Sequence, residues 1–353
     1  MRTIACALVT GALLSGAAER PPPAPESYVL AQSALVQLGD APRLYLARPD
    51  SALEAVDLRT GRVLWHTRLA VFPILVRADR LLALLPVPRG KDGWHLAVLS
   101  TRSGTILSTL PVWGQGGGLG SVGGGLGSMT TMWGVSRGGW DYVVWRAVMT
   151  PFSPVLTPNP RPGYTKTGAA RVDIARGTLE PVNEGFPNPD IPVQLDRRAG
   201  YSLGPFEIEG VTAVAAVQRD DPQTMRIVLR RTRGAMALPN IELCHVPWNS
   251  AGVSVSVDRR NVVGACRERL ERGTTRYRYD LVVHSTVTGE RVGHVTSDAF
   301  PGTWLLWKDK LVFFVPERVV VEDLTRGTKL FERPLRSLRY LGPYPPRAAP
   351  PRR

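Results

Sequence analysis

The histidines and cysteines are the side chains of this sequence best suited to metal chemistry, but their spacing does not favour a site. The histidines are isolated from one another, at His66, His95, His245, His284 and His294. Cys244 and His245 are adjacent, and adjacent strand residues point to opposite faces of a sheet, so they cannot easily share one ion. No Cys-x-x-Cys or His-x-x-x-His spacing occurs. We therefore expect no metal and no other cofactor.

A glycine-rich run at residues 114–128 has the spacing of a dinucleotide-binding loop, with Gly118, Gly120 and Gly123 in a Gly-x-Gly-x-x-Gly pattern. Such a loop must open a helix whose N-terminus meets the pyrophosphate. Here no helical pattern follows, and the run nearly duplicates itself as GGGLGS. The pattern therefore indicates a flexible insertion between structural units, with no phosphate-binding role.

The N-terminal residues 1–18 have the pattern of a secretory signal peptide. One arginine precedes an apolar run that ends in small residues, and the run is too short to span a bilayer. Residues 19–27 follow as a proline-rich spacer, and residues 341–353 form a Pro/Arg-rich tail that we expect to be disordered. No other segment is long and apolar enough to cross a membrane, so the sequence predicts an exported protein, periplasmic or extracellular.

Cys244 and Cys266 are the cysteines left after removal of the signal peptide. In an oxidising compartment an even pair favours a disulfide, and closing a loop of this length contributes on the order of 3 kcal/mol. Two buried free thiols that pack as small apolar residues are the alternative. The sequence leaves both open.

The chain is strongly basic, with 44 Lys and Arg against 30 Asp and Glu and a net charge of +14. The cations are scattered singly, with neither a nucleic-acid-reading motif nor alternation of aromatic and basic residues, so we expect no specific nucleic-acid partner. A basic surface instead favours an acidic protein or an anionic polymer.

The elements that must position any site come from an internal repeat. Six stretches share an apolar strand, a short polar link, a glycine and a second strand; the glycines are Gly61, Gly104, Gly177, Gly234, Gly289 and Gly327. Glycine supplies the positive φ that such a turn needs. A side-chain oxygen at the start of the turn can cap its free N–H groups. The capping residues are Asp57, Ser100, Asp173, Ser285 and Asp323.

Successive glycines are about 40–70 residues apart, which suits four strands per repeat, the unit of a propeller blade. Helical periodicity is nearly absent. The sequence therefore predicts an all-β protein, a β-propeller of four-stranded antiparallel blades over residues 28–340. We count six blades, with a seventh if the terminal strands build one. A propeller commonly closes by pairing an N-terminal strand with the last blade, so we expect residues 27–39 and 337–344 to close the ring.

The first repeat, AVDLRTGRVLWHTRL, resembles the repeat of quinoprotein-type (pyrroloquinoline-quinone-like) β-propellers, in which an Asp-x-x-Thr-Gly turn precedes an apolar strand that carries a Trp. Trp65 takes that position, and we align Leu179, Met236, Val292 and Leu330 with it in later repeats. Catalytic members of the family use adjacent cysteines and a calcium site. Because Cys244 and Cys266 are not adjacent, the resemblance implies a non-catalytic member.

Aromatic side chains are the remaining candidates for a binding surface. Trp133, Trp140, Tyr142 and Trp145 lie in one short stretch, where an exposed cluster could bind a sugar or an extended peptide. Their strand-like spacing favours packing between blades instead, and the same holds for Trp304 and Trp307.

Taken with the resemblance, these features predict a propeller that acts as a non-enzymatic binding or assembly scaffold of the cell envelope. The family's envelope scaffolds include one that assists outer-membrane barrel assembly. The alternative is a hydrolase or lyase that acts on a carbohydrate or lactone at the central channel, since carboxylates from separate blades can converge there unseen in a linear sequence.

Overall fold

The computed structural model describes residues 27–31, 33–86, 95–110, 129–137, 139–149, 164–182, 202–219, 224–247, 251–256, 259–269, 277–298, 303–315 and 317–336. The predicted signal peptide, the glycine-rich insertion and the C-terminal tail lie outside these ranges, as does the proline-rich spacer up to residue 26. Every regular element within them is a β-strand. They contain no helix with the length and apolar character that crossing a membrane requires.

The strands form six separate antiparallel sheets, each built from consecutive strands. The strands of blades 1 to 3 are β1 Ser27–Ala31, β2 Ala34–Gln37, β3 Arg43–Ala47, β4 Leu53–Asp57, β5 Val63–Thr67; β6 Phe72–Arg77, β7 Arg80–Leu84, β8 Leu96–Ser100, β9 Ile106–Thr109; β10 Met129–Arg137, β11 Trp140–Met149, β12 Tyr164–Asp173, β13 Thr178–Val182. Those of blades 4 to 6 are β14 Ser202–Ile208, β15 Val211–Arg219, β16 Thr224–Arg233, β17 Met236–Pro247; β18 Ala251–Val255, β19 Asn261–Arg269, β20 Tyr277–Ser285, β21 Arg291–Ser297; β22 Thr303–Trp307, β23 Lys310–Val315, β24 Arg318–Asp323, β25 Thr328–Pro334.

This architecture is a six-bladed β-propeller, as the repeat predicts. Blade 1 has four regular strands, β2 to β5, preceded by the extra strand β1. The first regular strands of neighbouring blades contact each other, β2 with β6 and β6 with β10, which places them around the centre of the ring. Strand β1 is a fifth strand of blade 1: it pairs with β2 and contacts β6 of blade 2 and β22 of blade 6. The N-terminal strand therefore extends blade 1 at its inner edge and builds no seventh blade.

The predicted exchange of strands between the two ends of the chain is wrong for the described residues, because β1 pairs in blade 1 and blade 6 is complete with β22 to β25. Residues 337–344 lie outside the described ranges. The ring closes by apolar packing instead: Leu44 and Val56 of blade 1 share a core cluster with Val312 and Val321 of blade 6. One backbone bond adds to it, from the Arg336 amide to the Ala47 carbonyl at 2.8 Å.

The repeat turns join the third and fourth strands of the blades. In the first, the Gly61 amide donates to the Asp57 carbonyl at 2.9 Å, and Asp57 Oδ1 accepts from the amides of Arg59 and Thr60. Asp173 caps its turn in the same way, Ser100 and Ser285 do so with their hydroxyls, and Asp323 accepts from the Arg326 amide. The six glycines have φ between 58° and 84°, a region that favours glycine.

At two joints between blades, an aromatic side chain of a fourth strand contacts the turn glycine of the next blade. Trp65 of blade 1 lies over Gly104 of blade 2, and Phe331 of blade 6 lies over Gly61 of blade 1. The equivalent of Trp65 in the last blade is therefore Phe331, and the alignment with Leu330 is wrong by one residue. Trp65 and Phe331 both stand four residues after their turn glycine, and the same register shift in both strand pairs matches Ala55 with Trp65 and Val321 with Phe331.

The joint between blades 4 and 5 is built differently. The side chain facing Gly289 is Arg231, whose Nη2 would lie 2.5 Å from a β-carbon at that glycine. Cys244 of β17 and Cys266 of β19 are also bonded to each other across this joint, with their α-carbons 5.7 Å apart. A covalent link therefore lies at the joint where an arginine of the third strand, and no aromatic side chain, faces the turn glycine.

We expect a Cys244→Ser, Cys266→Ser double variant to lose about 2–3 kcal/mol of unfolding free energy, because the link closes a loop with a sequence separation of 22. Urea denaturation of the oxidised protein, the reduced protein and the variant measures this. The reduced protein and the double variant should match. Two freely alkylated thiols in native, unreduced protein would contradict the pairing.

Candidate functional site: a cleft between blades 4 and 5

Arginines on four blades donate hydrogen bonds to carbonyl oxygens in the repeat turn of the next blade. The pairs are Arg43 Nη1 to Thr101 at 2.9 Å, Arg80 Nη1 to Ala175 at 3.0 Å, Arg231 Nη1 to Val287 at 3.0 Å and Arg333 Nη2 to Gly61 at 2.8 Å. Part of the arginine content is therefore structural. A linear sequence does not separate these latching arginines from solvated ones.

A cleft of about 530 Å³ lies at the blade 4–blade 5 joint, between the β16–β17 hairpin and the β20–β21 turn. Leu238, Ile241 and Val287 give its walls apolar surface. The polar and charged residues of the walls include Arg231, Arg233, Glu242, His284 and Glu290. The cleft is shallow and largely open to solvent.

Arg231 is the most deeply buried charged group of the cleft, with 4% of its surface exposed. Its guanidinium donates to the carbonyl oxygens of Thr286, Val287 and Pro239. Among the described residues no carboxylate pairs with it, and its Nε has no partner. Burial lowers the pKa of Arg231, but a guanidinium keeps its charge at neutral pH.

His284 lies beside Arg231 and is half-buried. Burial lowers its pKa, the hydrogen bond to the Gly289 carbonyl acts in the opposite direction, and the charges of Arg291 and Arg231 lower it further. The imidazole is therefore neutral at pH 7, with Nδ1 donating to the Gly289 carbonyl 3.2 Å away. His284 adds polarity to the cleft without adding charge.

The carboxylates of the cleft are engaged elsewhere. Glu242 lies 3.2 Å from Arg226 Nε, and Glu290 accepts from the Thr288 hydroxyl at 3.3 Å. Among the lining residues, two arginines (Arg231 and Arg233) stand against two glutamates (Glu242 and Glu290), so the lining is balanced in formal charge.

At the blade 2–blade 3 joint, by contrast, an inter-blade arginine is paired with a carboxylate. Arg77 of blade 2 holds Asp141 of blade 3 with two parallel bonds, Nε to Oδ2 at 3.1 Å and Nη2 to Oδ1 at 2.5 Å. The Ser136 hydroxyl also donates to Asp141, at 2.7 Å. The Nε atom of Arg231, by contrast, has no hydrogen-bond partner.

The other buried cation, Lys310 in blade 6, is also neutralised, by Asp323 at 3.0 Å and Asp309 at 2.7 Å. The hydrogen bond from Lys310 lowers the pKa of the Asp323 carboxyl. The charge of Lys310 is therefore neutralised by carboxylates of its own blade, whereas Arg231 has no such carboxylate partner among the described residues.

The aromatic candidates divide into two groups. Packing is confirmed for Trp133, Tyr142, Trp304 and Trp307, each buried to at least nine-tenths. Trp140 is 48% exposed, with the Arg171 guanidinium 4.3 Å above its ring. The Trp145 side chain lies outside the described part. The structure therefore leaves one exposed tryptophan of the predicted cluster and places it on blade 3, away from the cleft.

Within the described ranges, no three His, Cys, Asp or Glu side chains lie close enough together to hold a metal ion. The inner strands carry buried apolar residues such as Val36, Ile74 and Leu305.

One spacing escaped the sequence reasoning. Residues 200–204, Gly-Tyr-Ser-Leu-Gly, match the nucleophile elbow pattern Gly-x-Ser-x-Gly. An elbow needs its serine on a tight turn from a strand into a helix. Ser202 is instead the first residue of strand β14 and pairs with Ala216 of β15. The motif lacks the context that would make it an elbow.

Comparison with known proteins finds only distantly similar solved structures. No family model and no curated protein matches the chain. Among solved structures, AtxE2 isopeptidase shares 11% identity at a TM-score of 0.43, over 89% of this chain and 51% of that one. A quinohemoprotein alcohol dehydrogenase from Pseudomonas putida HK5 shares 13% (TM-score 0.28; 85% and 58% covered), and the Neurospora crassa Pan2 WD40 domain 9% (0.27; 86% and 76%). The chain thus spans about half the length of the isopeptidase.

Proposed function

We propose that this protein is an exported, non-enzymatic β-propeller that binds an acidic protein or an anionic polymer of the cell envelope. The observation that carries the proposal is the excess of positive charge: a net +14 on the chain, together with a cleft whose buried arginine has no carboxylate partner among the described residues. A rigid ring of blades with loops on two faces suits the holding of such a partner.

Electrostatics supports an acidic rather than a basic partner. Four arginines are used to latch blades together, but they donate to neutral carbonyls, so their charges are not cancelled by those contacts. Complementary charge speeds the encounter of two surfaces and suppresses partners of the wrong sign. Binding should therefore weaken as salt screens the surface charge.

Export is supported by the signal-like pattern of residues 1–18 and by the pairing of Cys244 with Cys266, since disulfides persist in oxidising compartments. Fractionation of cells that express the full chain, followed by intact-mass measurement, checks this part. We expect an exported protein shorter by about the first 18 residues. Full-length protein in the cytoplasmic fraction alone would contradict it.

Titration of the protein with polymers of defined charge tests the binding role. We expect poly-L-glutamate to bind, poly-L-lysine and neutral dextran not to bind, and the affinity for poly-L-glutamate to fall at least tenfold between 50 and 200 mM NaCl, measured by fluorescence anisotropy. Equal binding of all three polymers, or no binding of poly-L-glutamate at 50 mM NaCl, would overturn the proposal.

A further inference from the structure

The hairpins formed by the second and third strands of the blades differ in length around the ring. In blades 3, 4 and 5 the two strands pair over nine residues each: 141–149 with 164–172, 211–219 with 225–233, and 261–269 with 277–285. In blades 1, 2 and 6 they pair over five, five and six residues. The long hairpins therefore belong to three consecutive blades.

The extra length lies at one end of these blades. At the other end, pairing begins beside the repeat turn in short and long hairpins alike: Arg43 pairs with Asp57 in blade 1, and Asn261 pairs with Ser285 in blade 5. Since a strand rises about 3.3 Å per residue, three or four extra pairs extend a hairpin by about 10–13 Å. Half of the ring therefore carries a raised edge on the face opposite the repeat turns.

This raised edge is rich in cationic residues. We call it the raised arc and define it by the pairs beyond the fifth: 146–149 with 164–167, 216–219 with 225–228, and 266–269 with 277–280. Its Lys and Arg residues are Arg146, Lys166, Arg219, Arg226, Arg267, Arg269 and Arg278, and its acidic residues are Glu268 and Asp280. A net charge of +5 in 24 residues is more than a third of the +14 of the whole chain.

The residues between the paired strands of these hairpins do not cancel that charge. They are 150–163, 220–223 and 270–276, which lie outside the described ranges, and their formal charges sum to zero. The four arginines that latch blades together are also separate from the arc, because they donate to carbonyls of the repeat turns on the opposite face. The positive charge of the arc is therefore not explained by the joints between blades.

The side chains of Arg226 and Arg278 show how firmly such cations are held. Arg226 is 39% exposed and its Nε lies 3.2 Å from Glu242 Oε2, while Arg278 is 43% exposed and its Nε lies 3.5 Å from Asp280 Oδ1. Ion pairs with this exposure are weak. An anionic partner can therefore compete for both arginines.

We propose that the raised arc binds a linear anionic polymer, whose repeated negative charges follow the cationic residues of blades 3, 4 and 5. This inference rests on the proposed function and names the surface and the class of partner that it uses. The arc favours a linear polymer because its cationic residues are spread over three successive hairpins, which a chain of repeated charges can follow. A partner with one small acidic patch would meet the cationic residues of one hairpin.

The length of the polymer tests this arrangement. Fluorescence anisotropy of the full chain at 50 mM NaCl compares labelled poly-L-glutamate of 50 residues, end-blocked hexaglutamate and ovalbumin, a folded acidic protein. We expect the polymer to bind at least 500-fold more tightly than the hexamer, because only the longer chain reaches more than one blade. A gain no larger than the roughly 45 overlapping hexamer positions in the polymer would overturn the extended surface. Tighter binding of ovalbumin than of the polymer would overturn the choice of partner.

Two triple variants locate the surface. The arc variant removes one cation from each long hairpin, with Lys166→Gln, Arg219→Gln and Arg269→Gln. The matched control removes three exposed arginines from the repeat-turn face, with Arg102→Gln, Arg176→Gln and Arg233→Gln. We expect the arc variant to weaken binding of the polymer at least tenfold and the control to weaken it less than threefold, since both lose the same net charge.

Urea denaturation verifies that both variants fold as stably as the wild-type protein. If the arc variant is less stable, its three substitutions are measured singly, and each should weaken binding about two- to threefold. Equal weakening by the arc variant and the control would mean that only net charge matters; it would overturn the arc and leave the proposed function standing. Loss of poly-L-glutamate binding by the wild-type protein would overturn the proposed function itself.

Discussion

Replacing Trp65 with alanine is expected to lower the free energy of unfolding by about 3–5 kcal/mol, the range for a buried tryptophan in a close-packed core. Trp65 is 8% exposed and belongs to the cluster that joins blade 1 to blade 2. Its indole lies over Gly104, and its Nε1 donates to the Thr101 carbonyl at 2.8 Å. The substitution therefore removes packing and leaves that carbonyl with only the bond from Arg43.

Urea denaturation followed by far-ultraviolet circular dichroism measures the effect, and Trp140→Ala is the matched control. Trp140 is 48% exposed and its ring contacts the Arg171 guanidinium, so its loss should cost about 1 kcal/mol or less. Similar losses for the two variants would show that Trp65 does not join the blades in the way described.

The repeat turns were predictable from sequence because their chemistry is local. An Asp or Ser at the start of the turn and a Gly four residues later, as in Asp57 and Gly61, specify the capping bonds and the positive φ within one short segment. Gly234 is the exception. Its hairpin joins Arg233 directly to Met236 across two residues, so that repeat shares the glycine without sharing the capped turn.

The equivalent of Trp65 in blade 6 was predictable by counting from the turn glycine. Trp65 stands four residues after Gly61 and Phe331 four residues after Gly327, and the fourth strands of both blades carry the same extra residue that shifts the register. Choosing Leu330, three residues after its glycine, moved the alignment by one residue and therefore to the other face of the sheet. Blade 3 has no such shift, since Val172 pairs with Leu179, so the count does not carry over to that blade.

The cleft was hidden from sequence reasoning for a different reason. Arg231 and the turn that ends at Gly289 are far apart in the chain, and each looks ordinary alone: an arginine in a strand and a glycine in a hairpin. Only the packing of blade 4 against blade 5 brings Arg231 and Gly289 together. The manner of ring closure was missed for the same reason, since it depends on packing between residues from opposite ends of the chain, such as Val56 and Val321.

Replacing Gly104 with alanine is expected to cost about 2–5 kcal/mol, from two sources. Its φ of 72° is in the left-handed region, where a side chain costs roughly 1–2 kcal/mol. An added β-carbon would also lie 2.5 Å from Cε3 of Trp65, and forcing such a contact in a packed core costs about 1–3 kcal/mol more.

Gly234→Ala separates the two sources, because Gly234 has a φ of 58° and no described atom within 4 Å of an added β-carbon. It should therefore carry the backbone cost alone, about 1–2 kcal/mol. The difference between the two variants in urea denaturation reports the contact between Trp65 and the turn of blade 2. In a Trp65→Ala background that difference should shrink toward zero, since the ring that the new methyl group strikes is gone; a difference that persists there would place its cause elsewhere than in the joint between the blades.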